Sequence, residues 1–128
     1  MFAVLASAFD EPAEVLRAEY VEELLADPSF WAVAALEEGR VVGGITAHTL
    51  PMTRTPSAEL FVYDLAVHED FRRRGVGARL VHTLRMLAAD AGITVTFVPA
   101  ESDDLDAIAF YRSLAGRESS ASFFTWGD

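Results

Sequence analysis

Residues 63–80 read Tyr63-Asp64-Leu65-Ala66-Val67-His68-Glu69-Asp70-Phe71-Arg72-Arg73-Arg74-Gly75-Val76-Gly77-Ala78-Arg79-Leu80. That is an apolar strand, a short basic turn with two glycines, and the start of a long amphipathic helix. Glycine at 75 and 77 lets a ligand come close to the backbone without side chains in the way. A helix beginning there aims its unpaired N–H groups and the positive end of its dipole into the turn. Such a place binds anions, phosphate above all. Arg72, Arg73 and Arg74 add charge-assisted donors suited to phosphate oxygens.

The spacing excludes two phosphate loops. A Walker loop needs Gly-x-x-x-x-Gly-Lys-Ser/Thr, and the chain has no lysine; Gly-x-Gly-x-x-Gly fails because position 80 is Leu80. The run does resemble the pyrophosphate-binding motif of the GCN5-related N-acetyltransferases (GNATs), Arg/Gln-x-x-Gly-x-Gly/Ala, here Arg72-Arg73-Arg74-Gly75-Val76-Gly77. The resemblance implies that residues 72–78, Ala78 included, hold the diphosphate of acetyl-coenzyme A. It also implies that Leu65, Ala66 and Val67 on the preceding strand hold the pantetheine and the acetyl group.

A chain of 128 residues is expected to be one domain, residues 1–128. Its 52% hydrophobic and 23% charged residues are those of a globular protein, not a disordered one. With no cysteine, disulfides, thiolate catalysis and cysteine metal sites are excluded. No apolar run approaches the roughly 20 residues that span a bilayer, and Phe2 to Phe9 lacks a basic flank, so a cytoplasmic protein is expected. The net charge of −10 is unevenly spread: residues 71–89 carry five arginines and no acid, +5, which leaves −15 for the rest. That pattern suits an anionic cofactor in one place and a cationic substrate in another. Nucleic acid is an unsuitable partner for so acidic a chain.

Along the chain, Asp10 and Pro12 open a helix over 11–26, with Val15, Leu16, Tyr20, Leu24 and Leu25 at helical spacing and Asp27-Pro28 as its end. Phe30 to Leu36 and Val41 to Leu50 form a hairpin around Glu37-Glu38-Gly39-Arg40. Gly43-Gly44 within it marks a bulge or a close approach. After a Pro51–Ser57 loop, Glu59 to Val67 reads as a central strand. The helix from Val76 to Ala91 is expected to bury Val76, Leu80, Leu84 and Leu87, with Gly92 as its stop. Ile93 to Val98 reads as a buried strand, Asp103 to about Ala115 as a helix, and Ser119 to Trp126 as a last strand.

This order resembles the GNAT fold: α/β (α+β), with a mixed, mostly antiparallel sheet flanked by helices. One departure is expected, a first strand that is missing or short. The closer resemblance is to the small aminoglycoside 3-N-acetyltransferases. It is carried by Phe30-Trp31-Ala32-Val33-Ala34-Ala35, Val41-Val42-Gly43-Gly44, residues 59–67 and Ala107-Ile108-Ala109-Phe110-Tyr111-Arg112-Ser113-Leu114. It implies acetyl transfer from acetyl-coenzyme A to an amine of a polycationic antibiotic, directly in a ternary complex.

Acyl transfer to an amine needs a neutral amine, a polarised thioester carbonyl and a proton for the departing thiolate. The family analogy puts the polarising N–H groups near Leu65 and Val67. Asp64, with Glu59 earlier on the strand, can hold the substrate ammonium and accept its proton; the alternative is a strand-end acid that pairs locally. Tyr111 resembles the tyrosine that donates to sulfur in this family, and an ordinary phenol is protonated at neutral pH. It can also be a core residue with a satisfied hydroxyl. Glu101, Asp103, Asp104 and Asp106 can bind several ammonium groups or cap a helix. His48, His68 and His82 show no ligand spacing, and no metal is expected. The expected partner is a small polycationic amine, with no nucleic acid and no membrane, and a homodimer is left open. Other readings are the same transfer to another small amine, a polyamine or a protein N-terminus, or an acyl-coenzyme A-binding protein without turnover.

Overall fold

A tight turn at Glu38-Gly39 starts the sheet. Both residues have positive φ, 52° and 77°, as a two-residue hairpin turn with the twist of its strands requires. It joins β1 (Phe30–Glu37) to β2 (Arg40–Pro51). β2 then pairs antiparallel with β3 (Ala58–Val67), and β3 pairs parallel with β4 (Thr96–Phe97), giving the order β1-β2-β3-β4. Helix α1 (Ala18–Ala26) packs on β1, α2 (Val76–Asp90) crosses β1, β2 and β3, and α3 (Leu105–Ser113) follows β4. The computed structural model describes residues 17–128. The expected start of the first helix and the missing or short first strand lie outside the described residues.

The core lies between α2 and the middle of the sheet. Val76, Leu80, Leu84 and Ala88, four residues apart on one face of α2, pack with Val42, Ile45 and Ala47 of β2 and Leu60 and Val62 of β3. The expected fourth member, Leu87, is instead 46% exposed. The stripe advances by fours, so Ala88 takes that place and lets the helix end sit close to the sheet. On α1, Val21 and Leu24 are half-buried, whereas Tyr20 and Leu25 are exposed. The buried side of that helix is therefore narrower than expected.

Gly43 shows both features expected of it. The register between β1 and β2 shifts beside it, with Ala35 opposite Gly43 and Leu36 opposite Val41. A Cβ at Gly43 would also lie 2.9 Å from the Ala66 carbonyl oxygen. No side chain fits between those two backbones.

Two expected strands are corrected. Ile93 to Val98 yields only Thr96–Phe97, half-buried and exposed, because the chain diverges from β3 after a short contact. Ser119 to Trp126 forms no strand and is exposed throughout. Its β-forming residues pair with no strand among the described residues.

Candidate active site

β3 turns its two edges to different uses. Near its start, the Leu60 amide donates to the Val95 carbonyl at 2.9 Å, towards the β4 side. Just past its end, the His68 amide donates to the Val42 carbonyl at 2.7 Å, towards β2. Residues 60 and 68 have the same parity, so a regular strand would point both amides the same way. The reversal comes from a bulge. Thr46 stands opposite Asp64 and Ala47 opposite Val62, which leaves Tyr63 as the extra residue. Beyond it, alternation sends the amides of Asp64 and Ala66 towards β2, and those of Leu65 and Val67 to the other side.

On that other side the sheet opens. β4 pairs with β3 only at Leu60–Thr96 and Phe61–Phe97. From Val62 onward the two parallel strands are no longer paired, and β3 runs on to Val67 while the other arm runs on to Glu101. The Val67 carbonyl faces the same gap and accepts from Arg72 Nε at 3.1 Å.

At the end of that gap α2 begins. Gly75 is its N-cap at φ 78°, with no side-chain cap, and a Cβ there would meet nothing within 4 Å. The first intrahelical bond runs from the Arg79 amide to the Gly75 carbonyl, 3.0 Å. The amides of Val76, Gly77 and Ala78 therefore precede the helical ladder and have no partner within the helix. With the helix dipole behind them they suit an anion.

The three arginines divide. Arg72 is drawn to the Val67 carbonyl. Arg74 lies 3.7 Å from Glu37 and 5.1 Å over the Phe71 ring. Arg73, exposed at φ 65°, makes no ion pair among the described residues. Positive φ is uncommon for such a side chain and marks the bend from strand to helix. The sequence reading treated the three as equals; their separation depends on contacts with Val67, Glu37 and Phe71 that spacing does not encode.

α3 closes the gap from its far side. A Cβ at Gly77 would come 3.2 Å from the Phe110 ring, so this second glycine admits the helix after β4 against the start of α2. In the sequence Phe110 stood only within the 107–114 stretch and was given no role of its own. Its neighbour Tyr111, half-buried, stacks edge-on against it with centroids 5.2 Å apart. Burial, and then the negative charge of Asp104, raise the Tyr111 phenol above its usual value of 10.0.

Asp104 caps α3 by accepting from the Ala107 amide at 3.1 Å. Glu101 and Asp103 are exposed on the arm that diverges from β3. Asp64 is half-buried beside the bulge. Glu59 belongs elsewhere: it pairs with Leu50, and five residues of strand put it about 16 Å from Asp64.

Arranged this way, β3 runs past its pairing with β4 along Leu65–Val67 into the uncapped start of α2, and the helix that carries Tyr111 packs against that start through Phe110. That arrangement suits a long phosphate-bearing molecule, because a Cβ at Gly75 meets nothing within 4 Å and, among the described residues, no strand pairs with β3 along Leu65–Val67 on that side.

The Acetyltransferase (GNAT) family model matches residues 2–116. Human N-acetyltransferase 8 is 32% identical over 95 residues, covering 74% of this chain and 41% of that protein. The chain thus spans well under half the length of that curated relative. An aminoglycoside acetyltransferase from an uncultured soil metagenomic sample is 34% identical with a TM-score of 0.89, covering 99% of this chain and 88% of that one. A second soil metagenomic aminoglycoside acetyltransferase, solved in complex with sisomicin, is 26% identical with a TM-score of 0.89, covering 98% and 84%.

Proposed function

The chain belongs to the acetyltransferase (GNAT) family, and we propose that it acetylates an amine of an aminoglycoside, the 3-N amine by resemblance, in a ternary complex. The observation that carries this is the unpaired β3 edge running into an uncapped helix start. The aminoglycoside part is supported by the two soil enzymes. Antibiotic resistance is the role that such a reaction serves, and the cytoplasm is where donor and drug meet.

Acetyl-coenzyme A, when bound, supplies the thioester that the amine attacks. The amides of Val76, Gly77 and Ala78 hold its diphosphate, with Arg73 as the arginine left available for phosphate oxygens. The amides of Leu65 and Val67 pair with the pantetheine and polarise the thioester carbonyl. Asp64 holds the acceptor ammonium and takes its proton, directly or through water, so that a neutral amine attacks. Tyr111 donates its proton to the departing sulfur. Its raised pKa keeps that proton in place at neutral pH. Glu101 and Asp103 attract the other ammonium groups of the acceptor, and Asp104 adds charge beside its capping role.

The test is release of free coenzyme A with a panel of acceptors: sisomicin, linear polyamines and peptides with free N-termini. The expected outcome is turnover with sisomicin, a KM that rises with added salt as ammonium–carboxylate attraction is screened, and acetylation at 3-N by product NMR. Turnover confined to a polyamine or a peptide would move the acceptor class and keep the chemistry. Tight acetyl-coenzyme A binding without any turnover would make this a binding protein instead.

A further inference from the structure

The alternation Glu59-Leu60-Phe61-Val62-Tyr63 gives β3 two faces. Leu60 and Val62 are buried with the α2 stripe, so Glu59 and Phe61 lie on the face away from α2. By parity Asp64 would join Leu60 and Val62 in the core. The bulge at Tyr63 prevents this. Asp64 stands opposite Thr46 and Phe61 opposite His48; Thr46 and His48 are two apart on β2, so Asp64 and Phe61 share a face. Tyr63 shares it too, because its ring meets Phe61 edge-on at 6.1 Å and His48 at 5.9 Å. One face of β3 therefore reads carboxylate, phenyl, phenol, carboxylate over roughly 16 Å.

Tyr63 is 66% exposed although two rings brace it. The row of rings continues across the sheet, to Phe30 beyond His48 at 5.3 Å and to Phe97 beyond Phe61 at 5.2 Å. Such a contiguous patch marks a surface that binds, where a lone exposed aromatic would not. Glu59, half-buried at its end, makes no ion pair among the described residues.

We propose, resting on the aminoglycoside reading above, that this strip is where the acceptor's sugars are recognised. Tyr63 is the specificity-determining residue: one aminosugar ring lies on its face while Asp64 holds the reacting ammonium and Glu59 an ammonium on a distal ring. A braced tyrosine offers contact area at low entropic cost. The C–H face of a sugar ring buries apolar area on it, and an ammonium above the ring adds a cation–π attraction. Charge selects the occupant, since a carboxylate at each end of the strip, in a chain of net charge −10, draws a polycation and repels an anion. A linear polyamine would meet the two acids but has no ring to lay on Tyr63.

Calorimetric titration of sisomicin into the full chain saturated with coenzyme A reads the strip separately from turnover. Tyr63→Ser should weaken sisomicin binding by at least about fivefold, and Tyr63→Phe, which keeps the ring, should restore it. Glu59→Gln should weaken it by about two- to fivefold, a difference that shrinks as salt is added. Coenzyme A should bind all three variants as it binds the parent, which shows that the fold is intact. In steady state Tyr63→Ser should raise the KM for sisomicin with kcat little changed, because the ring touches no reacting atom. Equal sisomicin affinity in the parent and Tyr63→Ser overturns the proposal and leaves the acetyl-transfer reading standing. Tyr63→Phe as weak as Tyr63→Ser overturns it too, by assigning the effect to the hydroxyl, and an unchanged Glu59→Gln removes the distal anchor. A parent that turns over a polyamine or a peptide yet binds no sisomicin overturns this proposal together with the aminoglycoside reading.

Discussion

The two edges of β3 form a contrast. Towards β2 the ladder holds nine registered pairs, from Gly43–Val67 to Pro51–Ala58, with one bulge. Towards β4 it holds two. The first edge is a scaffold, backed by the core on α2 and tightened where Gly43 meets the Ala66 carbonyl. The second spends its donors elsewhere. One strand can do both because the bulge at Tyr63 turns the amides of Leu65 and Val67 out of the ladder. The lesson is that a binding edge needs a rigid opposite edge, or its donors would not hold their direction.

The contrast breaks most sharply at Asp64, beside the bulge. Asp64→Asn keeps the shape and removes the charge, and a positioned base is typically worth about 10²–10⁴-fold. We expect kcat/KM to fall within that range, most at low pH, where the amine is protonated, with acetyl-coenzyme A affinity unchanged. The measurement is kcat/KM against pH beside the parent; near-parental values throughout would make Asp64 a structural acid.

On the open side, Tyr111→Phe should lower kcat by about 10²-fold, with little effect on either substrate's affinity, because the thiolate exists only once attack has begun. The pH sign is fixed by the raised pKa. The folded protein holds the Tyr111 proton beyond pH 10.0, so loss of this acid should not depress kcat below that pH. The unfolded chain gives the proton up earlier, so the stability linked to Tyr111 is intact below 10 and declines above it. An alkaline limb near pH 8 that vanishes in Tyr111→Phe would sink the assignment.

The paired side is tested at Gly43. Gly43→Ala forces a Cβ against the Ala66 carbonyl at 2.9 Å, backbone on both sides, and overpacking of this kind costs about 1–3 kcal/mol. Thermal melting should show a fall of several degrees. Unchanged stability would mean that the β2–β3 contact yields more easily than its geometry implies.

The smallest effect sharpens the comparison from the open end. At Gly75 there is space for a side chain but φ is 78°, so Gly75→Val strains the turn rather than the core, by about 1–3 kcal/mol. Relaxation out of that conformation should misalign the amides at the start of α2. Calorimetry should then show acetyl-coenzyme A affinity about tenfold weaker in a protein that still unfolds cooperatively, with its melting point lowered as that strain requires.

Much of this was legible beforehand because it is local. The hairpin around Glu38-Gly39, the run of β3 into a glycine turn and the length of α2 follow from alternation, turn chemistry and helical periodicity. So does the cap at Asp104, a short acid ahead of a helix. Leu87 and Ala88 show where local reading stops: both fit the helical period, and only the distance to the sheet decides which is buried.

By itself the sequence determined the hairpin, the strand that runs into a glycine turn and the helix after it, and it named the turn and a short list of acids as candidates, since each depends on neighbours a few residues apart. Only the tertiary structure decided which amides face the gap, because that turns on a bulge opposite Thr46 and Ala47. It alone divided the arginines, sending Arg72 to Val67 and Arg74 to Glu37 and Phe71, and brought Phe110 against Gly77. It also cut Ile93–Val98 to two paired residues and left Ser119–Trp126 without a strand. A strand exists only where another backbone lies alongside it, and no pattern within one segment states where that backbone will be.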